Sequence, residues 1–199
     1  MTHDQSSPRV IVLGGPNGAG KSSVARMLLA ETFGVTTFVN ADVIAQGLSG
    51  FAPESAAWEA SRVMLDRLHQ LAADREDFAF ETTLAARSYA GWIDELRQNG
   101  YWCVLNYVWL ETADLAISRV RHRVAAGGHD IPEATIRQWY RRSVSNFFEL
   151  YRPRVDEWYA YDNSSPEQTV MIAEGAADGL MIVHHPERWQ QMQEQVQHG

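Results

Sequence analysis

Val10-Ile11-Val12-Leu13-Gly14-Gly15-Pro16-Asn17-Gly18-Ala19-Gly20-Lys21-Ser22-Ser23 joins an apolar run to a glycine-rich bend that ends in a basic residue and hydroxyls. The run reads as a buried strand, and Lys21 to Phe33 that follows it has helical spacing. Gly15 to Ser22 fits the pattern G-x4-G-K-[ST] at each required position. Glycines let successive backbone N–H groups point into one concavity that holds phosphate oxygens, and the helix N-terminus adds partial positive charge. A lysine in this place reaches the outer phosphates of ATP or GTP, and the serine hydroxyl binds the Mg²⁺ that accompanies them. Gly15, Pro16, Asn17, Gly18, Ala19, Gly20, Lys21, Ser22 and Ser23 are therefore the expected nucleotide-binding residues, with Ser22 as the Mg²⁺ ligand.

Outward from this loop, strand and helix signals alternate. Thr36 to Asn40 is rich in β-formers, Pro53 to Asp74 has helical spacing, and Phe78-Ala79-Phe80 is a third strand. Tyr89 to Gln98 is a helix stopped by Gly100. The apolar run Tyr101 to Leu110 has the character of a central strand buried on both faces. Asp114 to Ala125 and Pro132 to Leu150 are arginine-rich helices separated by Gly127-Gly128. Asp156 to Ser165 reads as a loop. Thr169 to Ala173 and Leu180 to Val183 read as short strands with a turn at Glu174-Gly175-Ala176. The alternation predicts an α/β fold of the P-loop NTPase type, with a mostly parallel sheet between helices. We expect one domain over residues 9–189 carrying a helical lid over about 119–142. Residues 1–8 are expected to be a flexible lead-in, and the Gln-rich stretch 190–199 a polar tail or frayed helix.

Composition narrows the partners. A net charge of −8 argues against broad binding to nucleic acid or anionic membranes, and no stretch has the length of a membrane span. The lone cysteine, Cys103, lies in an apolar run, reads as a buried structural thiol and suits a reducing cytoplasm. The tryptophans read as packing residues, His129 as a turn residue and His184-His185 as structural or exposed. Leu48-Ser49-Gly50 touches on an ABC-type signature, but Phe51 follows it and the reading fails.

Carboxylates at strand ends are the next clue, because ligands of parallel α/β sheets bind there. Asp42 follows the second strand and is either a functional carboxylate or a helix N-cap. Glu81 follows Phe78-Ala79-Phe80, with Thr82 and Thr83 behind it, and reads as functional. Such an acid can take a proton from an acceptor hydroxyl or hold a magnesium water. Arg119, Arg121, Arg123, Arg137, Arg141 and Arg142 flank the Gly127-Gly128 break. Two or three of them over the phosphates would neutralise charge during transfer, and the rest would form a solvated face. Asp162-Asn163-Ser164 has turn chemistry and could also edge the adenine. Two function classes stay open: a small-molecule kinase, or a nucleotide-hydrolysing switch acting on a protein or RNA.

The ordered set is more specific than the loop. Gly14 to Ser23, Asn40-Ala41-Asp42, Glu81-Thr82-Thr83-Leu84, Arg119-Val120-Arg121-His122-Arg123, Gly127 to Pro132 and Tyr161 to Ser164 together resemble the zeta-toxin-like P-loop kinases. The resemblance implies transfer of the ATP γ-phosphate, with Mg²⁺, to a small-molecule hydroxyl; in the zeta toxins proper this belongs to UDP-N-acetylglucosamine. It implies Asp42 as the activating carboxylate, Glu81 and Thr83 at the substrate, and Lys21, Arg121 or Arg123, and Arg137 as phosphate clamps. It further implies Asp162 and Asn163 beside the nucleotide, and an antitoxin protein as partner.

Overall fold

The computed structural model describes residues 7–29, 33–49, 53–128 and 130–197. The start of the expected lead-in and His129 lie outside the described residues. β1 (Arg9–Gly14) runs into the glycine loop and α1 (Lys21–Leu28). β2 (Phe38–Val39), α2 (Ala41–Leu48) and α3 (Ala57–Ala73) lead to β3 (Phe78–Thr82), then α4 (Ser88–Gln98) and β4 (Trp102–Trp109). α5 (Ala113–Ala125) and α6 (Glu133–Asn146) follow, then β5 (Glu157–Asp162), β6 (Val170–Ala176), β7 (Met181–Val183) and α7 (Pro186–Gln197).

Among the described residues the sheet has seven strands in the order β2-β3-β1-β4-β5-β6-β7. β1 to β5 are parallel, and β6 and β7 add an antiparallel edge. β1 sits between β3 and β4, so the chain departs to opposite sides of it and opens a crevice at its carboxyl end. Alternation sets the two faces of β1: Val10 and Val12 join one buried cluster, Ile11 and Leu13 the other. β4 is buried from Cys103 to Trp109, the two-sided burial its apolar run predicts. Burial also pushes the Cys103 thiol well above its ordinary range, so it stays protonated and inert. No described helix is long and apolar enough to cross a membrane.

Three local expectations are corrected. The segment read as a loop from Asp156 is strand β5, paired parallel to β4. Its polar ends resemble a turn, yet Trp158 and Ala160 alternate into the core between them. The turn expected at Glu174-Gly175-Ala176 is strand. The Trp158 ring passes so close to Gly175 that a Cβ there would meet it at 2.6 Å, so this glycine serves packing.

Residues 190–197 of the stretch expected as a tail or frayed helix belong to the helix α7, ordered by apolar residues at helical spacing. Trp189 and Met192 are buried, and Gln195 accepts hydrogen bonds from the Trp109 indole and the Tyr140 hydroxyl. The Trp189 ring stacks on Trp158 at 5.5 Å, and the Arg152 guanidinium lies over it at 5.9 Å. Trp189→Ala is expected to cost about 3–5 kcal/mol of unfolding free energy, read from urea melts. A loss under about 1 kcal/mol would mean that α7 is not part of the core.

Candidate active site

The glycine loop has the backbone that its sequence requires. Gly15 and Gly20 have φ of +146° and +81°, and a Cβ at Gly15 would lie 2.3 Å from the Val108 carbonyl oxygen. The loop therefore presses against β4 where no side chain fits. Gly15, Pro16 and Ala19 are buried behind it, while Asn17, Gly18, Gly20, Lys21, Ser22 and Ser23 line a cleft of about 810 Å³.

Glu81 stands at the floor of this cleft. The register pairs it with Leu13 of β1, so β3 delivers a carboxylate beside the start of the loop. The Ser22 hydroxyl donates to Glu81 Oε2 at 2.7 Å, and Asn40 Nδ2 donates to the same oxygen at 2.9 Å. Lys21 Nζ lies 3.6 Å from Glu81 Oε1 and donates to the Pro16 carbonyl at 3.0 Å. Lys21 is 6% exposed. The group can hold a cation chain and a hydroxyl in fixed positions, because the carboxylate accepts from two side-chain donors and faces the ammonium.

Asp42 is not the cap of α2. Asn40 is: its side chain accepts from the Asp42 and Val43 backbone N–H groups at 2.8 and 3.3 Å. The Asp42 carboxylate is thereby left exposed at the rim of the cleft, with Arg123 Nη1 3.9 Å from it. Thr83 also lines the cleft. Leu84 behind it has a φ of +57° and is fully buried, and Asn146 of α6 donates to its carbonyl at 2.7 Å. Asn146 thus ties α6 to the turn that presents Thr83.

The arginines sort by face. Arg119 and Arg123, four residues apart on α5, both line the cleft. Arg119 Nη2 donates to the Ser164 carbonyl at 3.0 Å. Arg121 pairs with Glu133, and Arg137 with Asp114, and neither lines the cleft. Of the arginines expected as clamps, Arg123 lines the cleft together with Arg119, whereas Arg121 and Arg137 face away from it. A 100° step per residue puts Arg121 on the opposite face from Arg119, a signal present in the sequence. Alanine at Arg123 is expected to lower turnover about 10- to 100-fold, while alanine at Arg121 leaves it within about twofold. Equal losses in a steady-state comparison would overturn this sorting.

Asp162 and Asn163, expected beside the nucleotide, are behind the loop. Asn163 Nδ2 donates to the Ala19 carbonyl at 2.8 Å, and its Oδ1 accepts from Thr169. Asp162 is buried, accepts from the Ser164 backbone N–H and pairs with Arg188 of α7 at 2.8 Å. Asn163 thus holds the loop, Asp162 ties the Ser164 turn to α7, and neither lines the cleft. The sequence reading gave no site role to Asn40, Tyr89 or Trp139, which do line it. Burial raises the Tyr89 phenol above its ordinary value, so it stays neutral.

Hard oxygens fit a magnesium ion here: the Ser22 hydroxyl and the Glu81 carboxylate beside it. Among the described residues no group of three acidic, histidine or cysteine side chains forms a cage of its own.

The profile of one protein family, Zeta toxin, matches residues 1–165. This chain belongs to the zeta toxin family. A curated relative, an uncharacterized protein of Haemophilus influenzae, is 27% identical over 126 residues, which is 63% of this chain and 88% of that protein. Among solved structures, the AvrRxo1-ORF1:AvrRxo1-ORF2 complex with sulphate ions superposes with a TM-score of 0.75 at 16% identity. The match covers 95% of this chain and 64% of that one, so the chain spans about two thirds of that protein's length. The same complex with ATP gives a TM-score of 0.72, at 16% identity over 95% of this chain and 64% of that one. The PezAT toxin-antitoxin structure of Streptococcus pneumoniae gives 0.62 at 17% identity, covering 99% of this chain and 89% of that one. At these identities the likeness establishes the P-loop kinase fold of the zeta toxin family.

Proposed function

We propose that this chain is an ATP-dependent phosphotransferase that moves the γ-phosphate of ATP to a hydroxyl of a small molecule. The observation that carries the reading is the meeting of Lys21, Ser22, Glu81, Asp42 and Arg123 in one cleft outside the strand ends. The acceptor oxygen attacks the γ-phosphorus, the bond from that phosphorus to the β-γ bridging oxygen breaks, and ADP leaves. The acceptor proton passes to the Asp42 carboxylate, which stands at the rim unconstrained by capping. Lys21, Arg119 and Arg123 offset the negative charge on the transferring group. Ser22 and Glu81 would hold Mg²⁺, which when bound neutralises phosphate charge.

A UDP-activated amino sugar is the acceptor implied by the likeness to the zeta toxins, and an antitoxin is the partner implied by the likeness to the PezAT system. The cleft continues past the loop to α3 and α6, which favours a small acceptor over a nucleotide switch that needs no second pocket. The test is label transfer from γ-labelled ATP with Mg²⁺ to UDP-sugars, nucleosides, free sugars and amino alcohols. Transfer to any of these supports the proposal. ATP hydrolysis stimulated only by a protein or RNA would replace it with the switch reading.

A further inference from the structure

Helix α7 lies beyond residue 165, where the match to the zeta toxin profile ends, yet it is tied to the nucleotide loop. Arg188, Met192 and Gln195 stand at i, i+4 and i+7, so they share one stripe of the helix. Met192 is fully buried, and the two polar residues lie one turn to either side of it.

Both polar residues converge on the turn Asp162-Asn163-Ser164 at the end of β5. Arg188 Nη1 lies 2.8 Å from Asp162 Oδ2. Gln195 Nε2 donates to the Glu111 carbonyl at 2.8 Å, and the Glu111 N–H donates to the Ser164 hydroxyl at 2.8 Å. Asp162 closes the turn, because its Oδ1 accepts from both the N–H and the hydroxyl of Ser164. Two parts of the site hang on this turn. The Ser164 carbonyl accepts from Arg119, which lines the cleft. Asn163 donates to the Ala19 carbonyl, and its amide sits so close to Gly20 that a Cβ there would meet it at 2.6 Å.

Asp162 is 5% exposed, and among the described residues its ion pair is with Arg188. A buried carboxylate that loses its cation gains by moving toward water, and here that movement would open the Ser164 turn. If it stayed, it would leave an unpaired negative charge behind a loop that receives phosphates, and like charges repel. Arg188 itself does not line the cleft. Resting on the phosphotransferase reading, we infer that Arg188 is a positioning residue for the nucleotide. By neutralising Asp162 it holds the turn in the shape that sets Arg119 and the glycine loop.

The experiment uses the full chain, Mg²⁺ and an ATP analogue with nitrogen in place of the β-γ bridging oxygen, with binding read by calorimetry. Arg188→Ala is expected to weaken binding about tenfold. Adding Asp162→Asn removes the orphaned charge and keeps the oxygen that Ser164 uses, so binding should return to within about threefold of wild type. Trp189→Phe loosens the stack on Trp158 without touching Asp162. It should lower the melting temperature and leave binding within about twofold, which a merely stabilising role of α7 would not give. In transfer assays Arg188→Ala should raise the ATP KM about tenfold and leave the acceptor KM unchanged. Binding by Arg188→Ala within about twofold of wild type, no recovery in the double variant, or an equal loss in Trp189→Phe overturns the inference. Should Arg188→Ala fail to fold, Arg188→Gln decides, since it can still donate one N–H to Asp162 but carries no charge. A loss of about fivefold or more supports the inference, and a loss under about twofold overturns it. The calorimetry needs no acceptor, so failure of transfer to every hydroxyl compound counts against the phosphotransferase reading alone. An analogue that does not bind the wild-type protein overturns both.

Discussion

Lys21→Met is expected to lower phosphoryl transfer about a thousandfold, equivalent to about 4 kcal/mol of transition-state stabilisation, with the fold retained. The lysine is 6% exposed, held by the Pro16 carbonyl at 3.0 Å and by Glu81 at 3.6 Å. An ammonium in a water-poor site acts on developing charge far more strongly than one on the surface. Methionine fills a similar volume without the charge. Loss of stability is the competing explanation for lost activity, because removing one member of a buried pair can cost several kcal/mol. Here the Glu81 carboxylate keeps the Ser22 hydroxyl and the Asn40 amide as donors, which limits that cost. A melting temperature within a few degrees of wild type, with transfer down a thousandfold, is the expected pair of readings. Transfer within tenfold of wild type would remove Lys21 from the chemistry. A collapse of the melting temperature would make Glu81–Lys21 a structural pair.

How far the sequence discloses the site depends on how local each cue is. The glycine loop is legible because its constraint is local: positive φ and close approach to Val108 admit little but glycine. Glu81 is legible because a carboxylate in an apolar strand stands out. The arginines are harder, since the helix signal says only which residues share a face. Arg119 and Arg123 share one, and which face meets the loop depends on Ala116 packing beneath Gly18, a long-range contact. Asp162 and Asn163 look like turn residues in the sequence. Their work, tying β5 to the loop and to α7, follows from partners distant in the chain: Ala19, Thr169 and Arg188. Trp139 reads as core by composition alone, and only the placement of α6 beside the cleft turns it into lining.

These distant ties bear on how the cleft can move. The Asp162-Asn163-Ser164 segment touches the loop through Ala19, α5 through Arg119 and α7 through Arg188. A shift of α5 that changes the Arg119–Ser164 contact therefore acts on the same short segment that holds the loop. α6 is tied separately, through Asn146, to the turn behind Thr83. The two walls of the cleft are thus fixed to different strand ends, and a shift of α5 over a nucleotide need not disturb the acid on β3, whereas a shift of α6 would pull on the turn that follows it.

Asp42→Asn should separate binding from chemistry. If Asp42 takes the acceptor proton, the substitution lowers kcat by about 10²- to 10⁴-fold and leaves ATP binding unchanged. The structure favours a clean result. The cap of α2 is Asn40, which uses the backbone N–H of Asp42 and not its side chain, so the helix start survives. The Asp42–Arg123 contact is 3.9 Å long between side chains that are 69% and 41% exposed, so its loss costs the fold little. The rival role, holding Arg123 in place, predicts something different. Asp42→Asn combined with Arg123→Ala would then be no worse than the more damaging single change, because both remove one interaction. A base and a phosphate clamp act on different atoms, so their losses should approach additivity. The acceptor offers a second discriminator. A compound with a more acidic hydroxyl needs less help in losing its proton, so it should recover part of the lost rate in Asp42→Asn and none in Arg123→Ala. Recovery in both, or in neither, would take the proton away from Asp42.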